Sequence, residues 1–289
     1  MYSTITSFLI EPKTSKNQIM KSIIYIFIIA CCLKSNGTKA QNVEIQYLAN
    51  EGVLIKSANT QILIDAIFNK EFDYLDVLPD SELTKIENAE AQYKSIDIIL
   101  ATHLHGDHFN AQIVGKHLIA NKSTLFFGPY ETVSNFKANF EEFQSISPRI
   151  SAETPNLFEA KTITLKNTTI KILRLEHLGT SPWKEAENVA YLITIDDKKI
   201  LHLGDSIIDI KNLENFGLEK ENIDVAILPY WQLGSSEQKE IIKKYINPKQ
   251  ILVAHIPLKS YPVAQKSINS LGYKNTKVLV KSFDITVVD

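Results

Sequence analysis

The sequence predicts an α/β (α+β) protein in which two β-sheets face each other with helices outside, a four-layer αββα sandwich. Three observations predict it. Short strand-forming runs come first, strands mixed with helical segments follow, and the same rhythm recurs in the second half. No linker or shift in composition interrupts the chain after Gln41, so residues 41–289 read as one domain. Hydrophobic content of 44% and charged content of 22% are those of an ordinary globular chain.

Apolar or alternating runs at 43–48, 53–57 and 61–65 predict three strands, with Ser57-Ala58-Asn59-Thr60 as a hairpin loop. Residues 68–93 are polar, spotted with aromatics and irregular, which reads as a long loop serving as a lid or a solvated insertion. A buried strand at 96–101 follows. Helical spacing marks 111–120 and 131–143 around a short strand at 124–127, and 145–155 reads as a turn-rich connection. Strands at 162–165 and 168–175 join at Lys166-Asn167, and 189–195 pairs with 199–203 across Asp196-Asp197-Lys198. A strand at 225–228, a helix at 236–246, a strand at 250–254, a helix at 264–271 and strands at 278–280 and 285–288 complete the chain.

The first forty residues differ. Lys21 precedes an apolar run at 22–33 that falls short of the ~20 residues a bilayer span takes. It has the length of a signal-peptide core, and Thr38-Lys39-Ala40 supplies a small-x-small cleavage site. Residues 1–40 therefore read as an N-terminal signal segment, with Met20 as an alternative start. The expectation is an exported protein, periplasmic or extracellular, without a transmembrane anchor. Ile28-Ile29-Ala30-Cys31 also fits a lipoprotein signal, in which Cys31 is acylated as a lipid anchor. Both cysteines, Cys31 and Cys32, lie in this segment, so a chain cut at Ala40 has only histidines and carboxylates for metal binding.

The chain carries 31 Lys and Arg against 33 Asp and Glu, and the first forty residues hold five Lys and one Glu. The remainder thus has 26 basic and 32 acidic side chains, about −6, and only Arg149 and Arg174 are arginines. An acidic, arginine-poor domain lacks the basic footprint of nucleic-acid binding, so the expected partner is a small-molecule substrate.

The chemistry concentrates in Thr102-His103-Leu104-His105-Gly106-Asp107-His108, directly after the strand at 96–101. A tight loop there aims four nitrogen and oxygen donors at one point, a set that suits zinc or a similar divalent ion. His177, Asp205 and His255 each follow a predicted strand within two residues, and strand ends on one rim of a sheet converge. Five of the seven histidines belong to this set. His105 keeps a nitrogen donor where a carboxylate would suit a di-iron site, which favours zinc, with manganese or iron as alternatives.

The succession His-x-His-x-Asp-His at 103–108, then His177, Gly204-Asp205 and His255, resembles the metallo-β-lactamase superfamily over nearly all of 41–289. The run from Glu187-Asn188-Val189 to His202-Leu203-Gly204-Asp205 looks like its lactonase-like and phosphodiesterase-like branches. The resemblance implies two metals: His103, His105 and His177 would hold the first, Asp107, His108 and His255 the second, and Asp205 would bridge them. It implies a hydrolase in which a water activated by both ions attacks an ester, lactone, amide or phosphodiester. Asp107 would orient that water or take its proton, and Asp205 is the second expected catalytic residue. Many β-lactamases of this fold carry cysteine where Asp205 stands, so antibiotic hydrolysis is not expected. The alternatives are a nucleic-acid phosphodiesterase or nuclease, which the acidic charge opposes, and a non-catalytic metal-binding protein.

His202 reads as a donor orienting a ligand or as a core histidine. Trp183, Tyr230 and Trp231 read as walls of the substrate pocket or as packing. His117, on a predicted helix, reads as a packing or surface residue.

Overall fold

The computed structural model describes residues 42–288 except positions 66, 70 and 71. The signal segment expected at 1–40, with Cys31 and the Ala40 cleavage site, lies outside the described residues. The strands are β1 (Val43–Ala49), β2 (Gly52–Lys56), β3 (Gln61–Ile64), β4 (Ile98–Leu100), β5 (Leu125–Gly128), β6 (Ile150–Ala152) and β7 (Ala160–Leu165). There follow β8 (Thr168–Leu175), β9 (Asn188–Ile195), β10 (Lys198–His202), β11 (Val225–Pro229), β12 (Gln250–Ala254), β13 (Thr276–Val278) and β14 (Ile285–Val288).

They form two seven-stranded sheets, ordered β14-β1-β2-β3-β4-β5-β6 and β13-β12-β11-β10-β9-β8-β7. In the first, β14, β1, β2 and β3 pair antiparallel in turn, then β3 to β6 pair parallel. The second repeats the scheme: β7 to β10 antiparallel, β10 to β13 parallel.

Alternation builds the layers, because successive side chains of a strand point to opposite faces. In β2, Val53 and Ile55 turn into a core shared with Val225 and Ile227 of β11, the apolar seam between the sheets. Leu54, between them, belongs to an outer core with helices α1 (Asp80–Glu87), α2 (Ala111–Ala120), α3 (Tyr130–Asn139) and α4 (Phe143–Ile146). Ala226 and Leu228 face the other outer core, with α5 (Ile210–Leu213), α6 (Ser236–Tyr245) and α7 (Ala264–Ser270). The order helix, sheet, sheet, helix is the expected αββα sandwich. Among the described residues no helix is long and apolar enough to cross a membrane.

Four local expectations are corrected. The stretch 68–93 contains α1: Pro79 occupies its N-cap, Asp80 and Glu82 suit the positive end of the helix dipole, and Leu83 and Ile86, three apart, are buried. The helix expected at 131–143 breaks at Phe140, which is extended (φ −130°) and lays its ring where a side chain at Gly115 would be. The connection 145–155 contributes the edge strand β6, paired parallel to β5. The strand expected at 278–280 lies at Thr276–Val278, in register with Ile251–Val253.

Strand direction places the site. Two antiparallel steps leave β1 running the same way as β3 and β4. By the same count β8 runs with β10, β11 and β12. The carboxyl ends of these strands therefore share a rim in each sheet. The two rims are tied together: Val189 N donates to Thr102 O at 2.9 Å, Tyr191 Oη to Ala101 O at 2.7 Å and His255 N to Asn50 O at 2.9 Å.

Candidate metal centre

The loop after β4 doubles back at once, with His108 N and Phe109 N both donating to His105 O. Beneath it lies Asp65, which leaves β3 with φ +48°. Its carboxylate accepts from Thr102 N at 2.8 Å, from Thr102 Oγ1 at 2.5 Å and from His108 Nδ1 at 3.0 Å. A carboxylate only accepts, so His108 donates from Nδ1 and turns Nε2 toward the other donors. Thr102 Oγ1, its proton given to Asp65, accepts from His103 Nδ1 at 3.0 Å. His177 Nδ1 donates to the Leu178 carbonyl. His103 and His177 thus carry their proton on the outer nitrogen and turn a bare Nε2 inward, and His108, held by its own Nδ1, turns Nε2 the same way.

The second sheet brings the rest. His177 follows β8 and bridges to Ser206, and Leu178 N donates to Asp205 O at 2.8 Å. Gly204 precedes Asp205 with φ +54°, and a Cβ there would stand 2.8 Å from Thr102 Cβ, so the turn demands glycine twice over. His255 follows β12 with φ +51°.

All seven positions converge. Ligand atoms of His103, His105 and His177 lie within 4.8 Å of one another, as do those of Asp107, His108 and His255 and those of His103, His108 and Asp205. Asp205 Oδ2 is 4.0 Å from His103 Nε2, 3.5 Å from His177 Nε2 and 3.7 Å from His255 Nε2, and its Oδ1 is 3.7 Å from His108 Nε2. Asp107 Oδ2 stands 3.1 Å from His255 Nε2. Asp205 thus sits between the two triads.

The donor set fits cations. His108 Nε2 and Asp205 Oδ1 are buried and have no hydrogen-bond partner among the described residues. His103 Nε2 and His177 Nε2 face each other at 3.3 Å with both protons on the far side of the rings. Orphaned buried polar atoms cost about 1–3 kcal/mol each, and opposed lone pairs repel, unless a positive charge lies between them.

The fields are strong. Burial, then the neighbouring imidazoles, pushes His103 well below the usual histidine range and His105 down to about 4. Burial alone would raise Asp107 and Asp205. His108 and His255 outweigh it, holding Asp107 well below the carboxylate range and Asp205 down to about 2. His108 is buried too, but Asp107, Asp205 and Asp65 hold its pKa well up.

The family model of the beta-lactamase superfamily domain matches residues 44–255. The chain belongs to the metallo-β-lactamase superfamily. It is 23% identical over 221 residues to a UPF0173 metal-dependent hydrolase of Pyrococcus horikoshii, covering 71% of this chain and 88% of that one. Its fold is similar to the metallo-β-lactamase fold protein YhfI of Bacillus subtilis (TM-score 0.58, 15% identity, 86% of this chain and 99% of that one). It is also similar to Igni18, a metallo hydrolase of Ignicoccus hospitalis (TM-score 0.57, 16% identity, with the same coverage).

Within this metallo-β-lactamase domain the remaining expected residues divide. Trp183 and Trp231 line a cleft of about 350 Å³ above the seven donors. Tyr230 does not line it: the side chain packs half-buried against the outer core of the second sheet. His202 makes no hydrogen bond to the seven donors among the described residues. Its Nε2 donates to Glu51 O at 2.9 Å and its Nδ1 accepts from Gly204 N at 3.2 Å, bracing the turn before Asp205. His117 is buried on α2, with Nδ1 donating to Ile86 O at 2.6 Å.

Sequence reasoning missed Asp65 and Glu51. Glu51 is fully buried, both its carboxylate oxygens lack partners among the described residues, and burial followed by the Asp205 charge pushes its pKa well up. Both acids follow the carboxyl ends of strands, the signal that singled out His177, Asp205 and His255. Applied to β1 and β3, it finds them.

Proposed function

We propose that this protein is a metal-dependent hydrolase with a dinuclear centre, zinc by donor type, acting on an ester, lactone, amide or phosphodiester. His103, His105 and His177 would hold one ion, Asp107, His108 and His255 the other, and Asp205 both. The observation that carries the reading is the 3.3 Å approach of two unprotonated nitrogens, His103 Nε2 and His177 Nε2, beside orphaned His108 Nε2 and Asp205 Oδ1. The relatives named metal-dependent hydrolases support it. Bound there, a pair of divalent ions supplies an acidified water and polarises the substrate oxygen.

The chain's own residues do the rest. Asp65 and Thr102 fix the ring orientations of His108 and His103, so both Nε2 atoms already face the centre. Asp107 stays ionised at the cleft floor, where its carboxylate would orient a water by accepting a hydrogen bond. Asn50 Nδ2, 3.3 Å from Asp107 O and 3.4 Å from its Oδ2, steadies that side chain.

Elemental analysis of the purified protein should find two divalent ions per chain. A panel of 4-nitrophenyl esters, lactones and bis(4-nitrophenyl) phosphate should reveal turnover that a chelator abolishes and zinc restores. Metal-loaded protein inert on the whole panel would sink the hydrolase reading. Export belongs to the same proposal: mass mapping of the natural protein should place its first residue at Gln41, whereas an acylated Cys31 would replace the soluble form by a lipoprotein.

A further inference from the structure

Two indoles stand over the centre, one for each triad. Trp183, from the segment after β8, meets His105 edge-on with ring centroids 5.1 Å apart. Trp231, after β11, meets His255 edge-on at 4.0 Å. Phe72 and Tyr74, themselves edge to face at 5.9 Å, add a third wall. Gly179, at φ +122°, carries the chain close under Trp183, where a Cβ would come within 3.3 Å of the tryptophan Cβ. Trp183 remains 57% exposed and Tyr74 54% exposed, large apolar faces left open at the mouth of a polar floor.

Charge is distributed just as unevenly. No lysine or arginine lines the cleft among the described residues; its formal charges are Asp107 and Asp205. Lys239, Lys243 and Lys274 line a separate cavity beside Asn247 and Pro248, at the opposite end of β12 from His255. Among the described residues the cleft lining therefore offers aromatic faces and no lysine or arginine.

We infer that the cleft takes uncharged substrates with a flat apolar or aromatic group beside the scissile bond, lodged between Trp183 and Trp231, and discriminates against substrates bearing a further anionic group. The inference rests on the hydrolase reading and narrows its substrate classes. Aromatic faces bind rings through area burial and edge-to-face contact. An extra carboxylate or phosphate lodged against these aromatic walls would lose water without gaining a lysine or arginine partner among the lining residues described. A volume of about 350 Å³ suits a small molecule and not a polymer.

The chain has two tryptophans, and both line the cleft, so fluorescence excited selectively at tryptophan reports this site. On zinc-loaded protein, N-benzylacetamide should quench at a concentration about tenfold lower than 4-(acetamidomethyl)benzoate, which differs only by its carboxylate. In turnover, kcat/KM for 4-nitrophenyl phenylacetate should exceed that for 4-nitrophenyl succinate by a similar factor. Trp183→Ala, a change at an exposed side chain that the fold tolerates, should raise KM for the phenylacetyl ester by about fivefold to tenfold, and by clearly less for the acetyl ester. Equal or tighter binding of the benzoate, preference for the succinyl ester, or an equal effect of Trp183→Ala on both esters overturns the inference. If no substrate turns over, the hydrolase reading fails, and the quenching pair still decides what the cleft binds.

Discussion

Asp65 and Asp205 occupy matching places in the two halves of the molecule. Each follows the strand where its sheet changes from antiparallel to parallel pairing, β3 in one and β10 in the other. Their surroundings differ completely. Asp65 follows its strand directly, stays under the loop, and accepts three hydrogen bonds. Asp205 is carried outward by Leu203-Gly204, borders the cleft, and leaves Oδ1 without a partner among the described residues. A saturated carboxylate is a brace. One held among imidazoles with an oxygen to spare is a place for a cation. Two added residues at equivalent strand ends convert one role into the other.

The widest test of that contrast is Asp205→Ala. It removes the group between the triads, so metal content should fall toward zero and turnover by about a thousandfold or more, read by elemental analysis and kcat/KM. Asp65→Asn should cost less. It weakens the acceptor that fixes His108, and such supporting partners are typically worth about 10–100-fold in metal affinity, measured here by competition with a chromogenic chelator. Equal losses in the two variants would erase the distinction between brace and ligand.

Gly204→Ala attacks the two residues that set Asp205 apart. At φ +54° an alanine is strained, and its Cβ would meet Thr102 Cβ at 2.8 Å. We expect about 2–4 kcal/mol of destabilisation in urea melts, together with weakened metal binding, because Thr102 also holds His103 and Asp65. Wild-type stability in this variant would mean that the turn is looser than its contacts require.

Much of this architecture is legible in the chain itself. The continuous apolar runs at 53–55 and 225–228 mark strands buried on both faces, and the donor loop at 103–108 announces itself by composition. Other features depend on contacts distant in sequence. Phe140 leaves its helix because Gly115, far back in the chain, opens a place for its ring. Asp65 and Glu51 are ordinary acids until the sheet order sets them behind the histidines. Tyr230 and Trp231 are neighbours that point to different environments, and the one-turn 3₁₀ helix at Tyr230–Leu233 decides which side chain reaches the cleft. Periodicity carries the layers; convergence has to be seen in space.

The smallest expected effect lies in the pH dependence of the metal-free protein. An unfolded histidine titrates near about 6.5, whereas folded His105 titrates at about 4 and His103 is also lowered. The unfolded chain binds more protons between those values, so stability falls as pH drops from about 6.5 toward 4. Asp205, lowered to about 2, extends the loss below the usual carboxylate range. His108 has the opposite sign. Its raised pKa contributes stability that is complete below about 6.5 and is lost as pH rises through the folded value. The sum is a maximum near neutrality, measurable by urea melts across pH in the presence of a chelator. Asp65→Asn should flatten the alkaline limb, because its hydrogen bond is one of the supports of His108, and leave the acid limb in place. An unchanged alkaline limb would mean that Asp107 and Asp205 hold that proton without help from the brace.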